Sequence, residues 1–289
     1  MFPMFENRTI DRLDKMLDAA LDGDFRESDY DETKLSRLET KWKRFLGASS
    51  LSKEALTREK ESVKSLVSDI SHQTKTPMTN IRLYASLLEE LIRNEENMSR
   101  LEEALMMTKE LIRQTEKLEF LIQSLTKMSR LESDIVTVRP ERQKIAPLLS
   151  EVLEEVSMKA EKKCVHLQNN YTGNAEASFD YKWTKEALGN VVDNAVKYSA
   201  DGGMVILSVT EYEMYLAVSV KDTGIGIREE EIPRIFDRFY RAAEVSQKEG
   251  VGIGLYLTRE ILKKENGYVK VKSRLDEGSE FLLYLYKGI

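Results

Sequence analysis

Only two histidines occur in the chain, His72 and His166, and the first has distinctive neighbours. Ser71-His72-Gln73-Thr74-Lys75-Thr76-Pro77 lies inside a run whose main apolar residues recur in steps of three and four. They are Val63, Val67, Ile70, Thr74, Pro77, Ile81, Tyr84, Leu88 and Leu91. Steps of that kind describe a heptad seam on a helix, here with one threonine and one proline in it. With Val67 at position a, His72 falls at f and Thr76 at c, both off the seam and one turn apart. An uncharged imidazole held out from a rigid helix offers a free lone pair, so it is a usable nucleophile. Asp69 shares that outward stripe and could take a proton. Gln73 can hydrogen-bond but cannot act as a base. On the helix alone, an ordinary surface histidine is the simpler reading.

Four segments nearer the C-terminus carry a second kind of chemistry. In Glu186-Ala-Leu-Gly-Asn190-Val-Val-Asp-Asn194-Ala-Val-Lys197-Tyr198-Ser199, the residues Glu186, Asn190, Asn194 and Lys197 fall on one helical face. Amide oxygens can ligate a hydrated magnesium ion and a lysine can neutralise phosphate. A plain solvated face opposite Val191, Val192 and Val196 is the alternative. Val220-Lys-Asp222-Thr-Gly224-Ile-Gly226-Ile227 ends a strand on a carboxylate that could accept from an adenine amino group, beside glycines that let a ring approach. Gly250-Val-Gly252-Ile-Gly254-Leu255 opens a helix, where backbone N–H groups favour anions. Glu277-Gly278-Ser279-Glu-Phe281 enters the last strand. Each of these three is weak alone, because ordinary turns look the same.

Order and spacing join them. Ser-His-x-x-x-Thr-Pro resembles the H-box of the dimerisation and phosphotransfer domain of two-component sensor histidine kinases. The four later segments resemble the N, G1, G2 and terminal Gly-Ser boxes of the same family's ATP-binding domain. Ile235-Phe236-Asp237-Arg238-Phe239-Tyr240-Arg241 resembles its F-box. The resemblance covers most of residues 55–286. It implies a Bergerat ATPase sandwich, with Asn194 and Asn190 holding Mg²⁺ and Asp222, Gly224 and Gly226 at the adenine of ATP. Lys197, Tyr198, Arg238 and Arg241 would face the phosphates, Gly250, Gly252, Gly254 and Leu255 would flank the lid, and Ser279 would complete the site. His72 would be the phosphoacceptor. Thr76 matches the position that orients water for removing phosphate from the partner, so a phosphatase activity toward that partner is implied too. One departure stands out: the residue after the histidine is usually acidic, and here it is Gln73. Either Asp69 or solvent takes the proton, or autophosphorylation is slow. No GxxxxGK[ST] loop is present.

The elements that would position these groups follow from periodicity. Residues 1–51 read as charged helices: Ile10, Leu13, Leu17 and Leu21, a break at Gly23-Asp24, then Leu35, Leu38, Trp42 and Phe45 before a weak stop at Gly47–Ser50. This is either a parallel helical module in a dimer, resembling a HAMP linker in part, or a helical stalk. Residues 52–133 read as a hairpin whose second helix spans about 100–131, with Leu111, Leu118, Ile122, Leu125 and Leu131, after a turn at Asn94–Ser99. Such a hairpin buries its stripes best as a dimeric four-helix bundle. Leu83, at a position where a solvated helix carries a polar side chain, and Leu87 either dock a partner or pack within the hairpin. Residues 134–289 read as a two-layer α/β sandwich. Its strands are expected at Val136–Val138, Val165–Asn169, Ala177–Asp180, Val205–Val209, Leu216–Val220, Tyr268–Ser273 and Phe281–Tyr286, and its helices at Ile145–Lys162, Trp183–Tyr198 and Leu255–Glu265. The fold class is thus multidomain, α followed by α/β, with a hinge near Ser133–Arg139.

Composition narrows the rest. A net charge of −6 over 289 residues argues against general nucleic-acid binding. A single cysteine, Cys164, excludes a disulfide framework and fits a reducing compartment. No His/Cys cluster suggests zinc. No run of about 20 apolar residues is present, so membrane attachment is expected only through a segment upstream of residue 1. These features fit the cytoplasmic portion of a bacterial inner- or plasma-membrane sensor that acts as a homodimer on a response regulator. Two competitors are a related ATPase or chaperone, which needs no exposed histidine, and a coiled-coil scaffold with a degenerate nucleotide domain.

Overall fold

Heptad spacing produces two long helices in succession, α1 (Lys34–Arg93) and α2 (Met98–Glu132). The computed structural model describes residues 34–93, 98–132, 138–242, 245 and 250–288. The first helical run, its Gly23-Asp24 break, the start of the Asn94–Ser99 turn and most of the hinge lie outside the described residues. The expected stop at Gly47–Ser50 is absent, because α1 runs straight through it. One glycine costs a helix about 1 kcal/mol, too little to end one this long. Pro77 is also inside α1. Lacking an N–H, it leaves the Gln73 carbonyl without its helical donor.

The chain divides into two compact units between Ser71 and His72. In the first, the seam residues Val63 and Val67 are exposed. In the second, Thr74, Ile81, Tyr84, Leu88 and Leu91 are half-buried and Pro77 is buried. On α2 the covered stripe runs through Gln114, Leu121, Ser124, Met128 and Leu131, with Leu111, Leu118 and Leu125 half-buried. Ile122, expected on that stripe, is instead 54% exposed. It is one residue from Leu121, about 100° around the helix. Leu83 is also 53% exposed, so packing within its own hairpin does not cover it.

The α/β layer pair is built by clean alternation. A five-stranded sheet has the order β2-β4-β5-β7-β6, from His166–Asn169, Met204–Glu211, Tyr215–Asp222, Gly278–Tyr286 and Tyr268–Arg274. Only β2 and β4 pair in parallel. Val205, Leu207, Leu216, Val218, Val220, Phe281, Leu283 and Leu285 point to one face, where α3 (Ile145–Lys162) and α4 (Tyr181–Tyr198) cover them. α5 (Gly254–Lys264) packs beside α4. A separate two-stranded ribbon pairs β1 (Glu141–Lys144) with β3 (Glu176–Phe179). The segment expected as a strand at Val136–Val138 is not the one that pairs in this ribbon. Val138 is in no strand, residues 136–137 are outside the described set, and the ribbon uses Glu-Arg-Gln-Lys instead. That ribbon strand is nearly all exposed, so no apolar alternation marks it. Asp180, expected to end a strand, caps α4 by accepting from the Trp183 N–H at 3.3 Å.

Candidate functional site

α4 supplies the first wall. Its apolar side, from Trp183 through Val196, is buried, and this turns Glu186, Asn190, Asn194 and Lys197 to the other side, all half-buried. The Asn190 Nδ2 is buried with no hydrogen-bond partner. An unmatched buried amide is costly, and a ligand oxygen would satisfy it. Lys197 Nζ donates to Tyr198 Oη at 3.0 Å and lies 4.7 Å from that ring's centroid. Glu186 is not part of this group: Lys127 of α2 donates to both its carboxylate oxygens at 2.8 Å.

The second wall is the end of β5. Asp222 is buried, and its Oδ1 accepts from the Gly224 N–H at 2.8 Å and the Ser279 N–H at 3.2 Å. Burial pushes its carboxyl above the usual range, and the two N–H groups hold the rise in check. Oδ2 is left to accept from a ligand. Ser279 thus joins through its backbone, while its hydroxyl shares a 2.8 Å hydrogen bond with Ser273 Oγ. At Gly224 a Cβ would come 2.8 Å from Asp222 Oδ1 and 2.7 Å from the Tyr198 carbonyl. Gly226, at φ 71°, has the Arg274 carbonyl 2.0 Å from where a Cβ would stand. No other residue type fits either position.

The third wall precedes α5. Gly252, at φ 78°, accepts the Phe239 N–H at 2.8 Å, and a Cβ there would meet the Tyr240 carbonyl at 2.6 Å. A Cβ on Gly250 would lie 2.8 Å from Lys197 Nζ, and one on Gly254 3.2 Å from Asn190 Oδ1. The G2 and N segments therefore meet, with Leu255 half-buried behind them. Arg241 Nη2 donates to the Val245 carbonyl at 2.6 Å. Arg238 turns elsewhere: its Nη2 donates to Glu132 at the end of α2 and to Tyr256 Oη at 2.9 Å. Tyr256 Oη also donates to Glu132, and burial followed by that carboxylate pushes the phenol up to about 12.

On α1, His72 and Thr76 are exposed and Gln73 is half-buried. Asp69 Oδ2 accepts from Ser65 Oγ at 3.5 Å. The structure thus brings Asn190, Lys197, Tyr198, Asp222, Gly224, Ser279, Gly250 and Gly254 together in the sandwich, and carries His72 and Thr76 on a helix outside it.

Two family models match along the chain. "His Kinase A (phospho-acceptor) domain" covers residues 62–134, and "Histidine kinase-, DNA gyrase B-, and HSP90-like ATPase" covers 179–288. Residues 62–134 thus belong to the histidine-kinase phospho-acceptor family, and residues 179–288 to the ATPase family that histidine kinases share with DNA gyrase B and HSP90. The chain is 28% identical over 226 residues to the sensor protein SrrB of Staphylococcus aureus, which is 78% of this chain and 38% of that protein. The chain therefore spans less than half the length of the curated relatives it matches. Its fold is similar to the Acinetobacter baumannii histidine kinase AdeS, with a TM-score of 0.60 at 18% identity over 75% of this chain and 98% of that one. Histidine kinase ThkA, solved in complex with response regulator protein TrrA, gives 0.60 at 19% identity over 90% and 68%.

Sequence patterns missed three residues that hold this site in place. Thr258 Oγ1 donates to the Ala187 carbonyl at 3.0 Å, tying α5 to α4. Glu265, after α5, accepts from the Asp180 N–H at 3.0 Å and from Thr184 Oγ1 at 2.9 Å. Ser273 Oγ accepts from the Ile227 N–H and donates to the Gly278 carbonyl. None belongs to a motif, although Ser273 could have been found as the register partner of Ser279. Among the described residues no helix is long and apolar enough to cross a membrane.

Proposed function

We propose that this chain is the ATP-dependent autokinase part of a sensor, phosphorylating its own His72 and passing the phosphoryl group to an aspartate of a response regulator. One observation carries the reading: the partnerless amide of Asn190, in the cradle with buried Asp222 and the glycines of two segments, occurs in a chain that also exposes His72. Asp222 Oδ2 would accept from the adenine amino group, and Lys197, Tyr198 and Arg241 would face the phosphates. Asn190 and Asn194 suit Mg²⁺, which when bound would neutralise phosphate charge. His72 attacks the γ-phosphorus, a nitrogen–phosphorus bond forms, and the bond to the ADP oxygen breaks. The imidazole proton leaves to Asp69 or to solvent, because Gln73 cannot take it. Positioning and charge neutralisation are the protein's main contribution.

The reading extends to a homodimer through the exposed apolar residues of α1 and α2, and to domains at 52–133 and 134–289 after a helical segment at 1–51. Thr76, one turn from His72, would orient water for dephosphorylating the regulator. The sensing part, with any membrane segment, would lie outside these residues, on the cytoplasmic side of which this portion works. The test is incubation with γ-labelled ATP. Acid-labile, base-stable label should appear on the wild type and vanish in His72→Gln, which still binds ATP. Label retained on His72→Gln would overturn the assignment of the phosphoacceptor.

A further inference from the structure

The last carbonyls of any helix lack helical donors, and on α4 these carbonyls belong to the turn that carries Lys197 and Tyr198. Their partners can be accounted for one by one. Ala195 O accepts from the Ser199 N–H at 3.1 Å and from Ser199 Oγ at 2.8 Å. Tyr198 O accepts from the Ile225 N–H at 3.4 Å, which ties this turn to the Asp222–Gly226 loop. The carbonyls of Val196, Lys197 and Ser199 all accept from one ammonium, Lys163 Nζ, at 3.0, 2.9 and 2.7 Å. Three carbonyls match the three N–H donors of a lysine. The cation also stands at the negative end of the α4 dipole.

Lys163 is itself held firmly. It follows α3, where its N–H donates to the Ala160 carbonyl at 3.1 Å and its carbonyl accepts from the Gly202 N–H at 3.3 Å. The next residue, Cys164, takes a left-handed φ of 54° and donates to the Glu161 carbonyl. Further ties run from α3 to α4: Lys185 pairs with Glu151 and Glu155, Lys159 pairs with Asp193, and Tyr181 Oη donates to Glu151 at 2.6 Å. Those pairs are solvent-exposed at one or both ends and weak, whereas Lys163 is half-buried and its three bonds converge on the functional turn.

We propose that Lys163 is a positioning residue for the nucleotide phosphates, acting through Lys197. This rests on reading α4 as the nucleotide helix. By gripping the last turn from below, Lys163 fixes the backbone from which Lys197 reaches Tyr198 Oη and the Gly250 segment. A misplacement of about 1 Å in such a group can cost about 10²-fold in function. Lys163 meets the first wall only through backbone carbonyls at the end of α4, so its effect on ligand binding is indirect.

The experiment measures ATP affinity and melting temperature for the wild type, Lys163→Met and Lys163→Arg, each with and without Lys197→Ala. Lys163→Met keeps the apolar stem and should weaken ATP binding about tenfold. Lys163→Arg keeps the charge, but a planar fork cannot meet three converging carbonyls, so its loss should be smaller but measurable. In the Lys197→Ala background either change should add less than about twofold to the loss of affinity. The melting-temperature drop should be the same in both backgrounds. Unchanged affinity in Lys163→Met, or a loss that simply adds to that of Lys197→Ala, would reduce Lys163 to a helix cap and overturn the proposal. If Lys163→Met does not fold, Lys163→Arg carries the same test. A wild type that binds no ATP would instead remove the nucleotide reading of α4, and the inference with it.

Discussion

The sandwich and the two long helices spend the same residue types in opposite ways. In the sandwich, Leu148, Leu149, Leu207 and Leu216 are wholly buried, and strand alternation sends each apolar side chain into one closed core. On α2, Leu101, Leu105, Ile112, Phe120 and Ile122 are each more than half exposed, as is Leu83 on α1. A domain that completes its own core can hold a small ligand in fixed geometry. Helices that leave a stripe open are shaped for another protein surface. The proposed division of chemistry follows the same line, with the nucleotide-binding groups in the sandwich and the phosphoacceptor His72 on the open helix.

The sharpest way to break that contrast is to damage each side. Leu207→Ala in the sheet should cost about 2–5 kcal/mol, because the core cannot collapse around the lost atoms. Ile112→Ser should leave the sandwich's melting transition in place and instead reduce the dimer fraction seen by light scattering. If Ile112→Ser lowers the sandwich transition as much as Leu207→Ala does, the helices are not open surfaces and the contrast fails.

Next in size is Glu265, the charged group that the sandwich buries most completely, at 1% exposed. Burial raises its carboxyl to about 7, against the hydrogen bonds from Asp180 and Thr184 that lower it. The folded state therefore binds this proton more tightly than the unfolded chain. Its contribution to stability is fully present below about pH 4.5 and is lost as pH rises to about 7, at up to about 1.4 kcal/mol per pH unit. Glu265→Gln should flatten that part of the stability profile, measured by urea melts from pH 4.5 to 8. A profile as steep as that of the wild type would assign the slope to other groups.

How much of this was legible beforehand depended on whether a signal was periodic. The helices α3, α4 and α5, and most strands, follow from apolar spacing to within a few residues. The cradle of Asn190, Asp222, Gly224 and Gly252 follows from motif order. The ribbon strand Glu141–Lys144 was invisible because its side chains face water and carry no pattern. The continuity of α1 through Gly47 was misjudged because one glycine looks like a stop although its cost is small. Arg238 was expected at the phosphates, yet it reaches Glu132 more than 100 residues earlier, a pairing no local pattern encodes. Lys163 escaped for the same reason: its three acceptors are backbone atoms, and backbone has no sequence signature.

On the helix side, the residue after the proposed phosphoacceptor gives a smaller but direct test. Gln73 is half-buried beside exposed His72, and no base follows the histidine. Gln73→Glu should accelerate autophosphorylation and Asp69→Asn should slow it, since a positioned base is typically worth about 10²–10⁴-fold and even part of that is measurable. Nucleotide affinity should not change in either, because both residues are on α1. If both rates match the wild type, proton removal does not limit the reaction.

The smallest expected effect returns to the turn that carries Lys163. Cys164 adopts φ 54°, a conformation in which an L side chain crowds the following carbonyl. It occupies the position after the α3 C-terminus, where its N–H satisfies the Glu161 carbonyl and the Val165 N–H satisfies Ala160. Glycine is the usual occupant of such a left-handed end because it has no Cβ to crowd. Cys164 is exposed, so little buried surface is lost by removing its side chain. Against this, glycine loses more chain entropy on folding. The balance favours Cys164→Gly by about 0.5–1 kcal/mol, a rise of a few degrees in the sandwich's melting temperature. Because Lys163 keeps its place, ATP affinity should stay at the wild-type value. A fall in melting temperature would mean that the Cys164 side chain supports the turn, and a change in affinity alone would show that the turn, and not only the Lys163 ammonium, sets the end of α4.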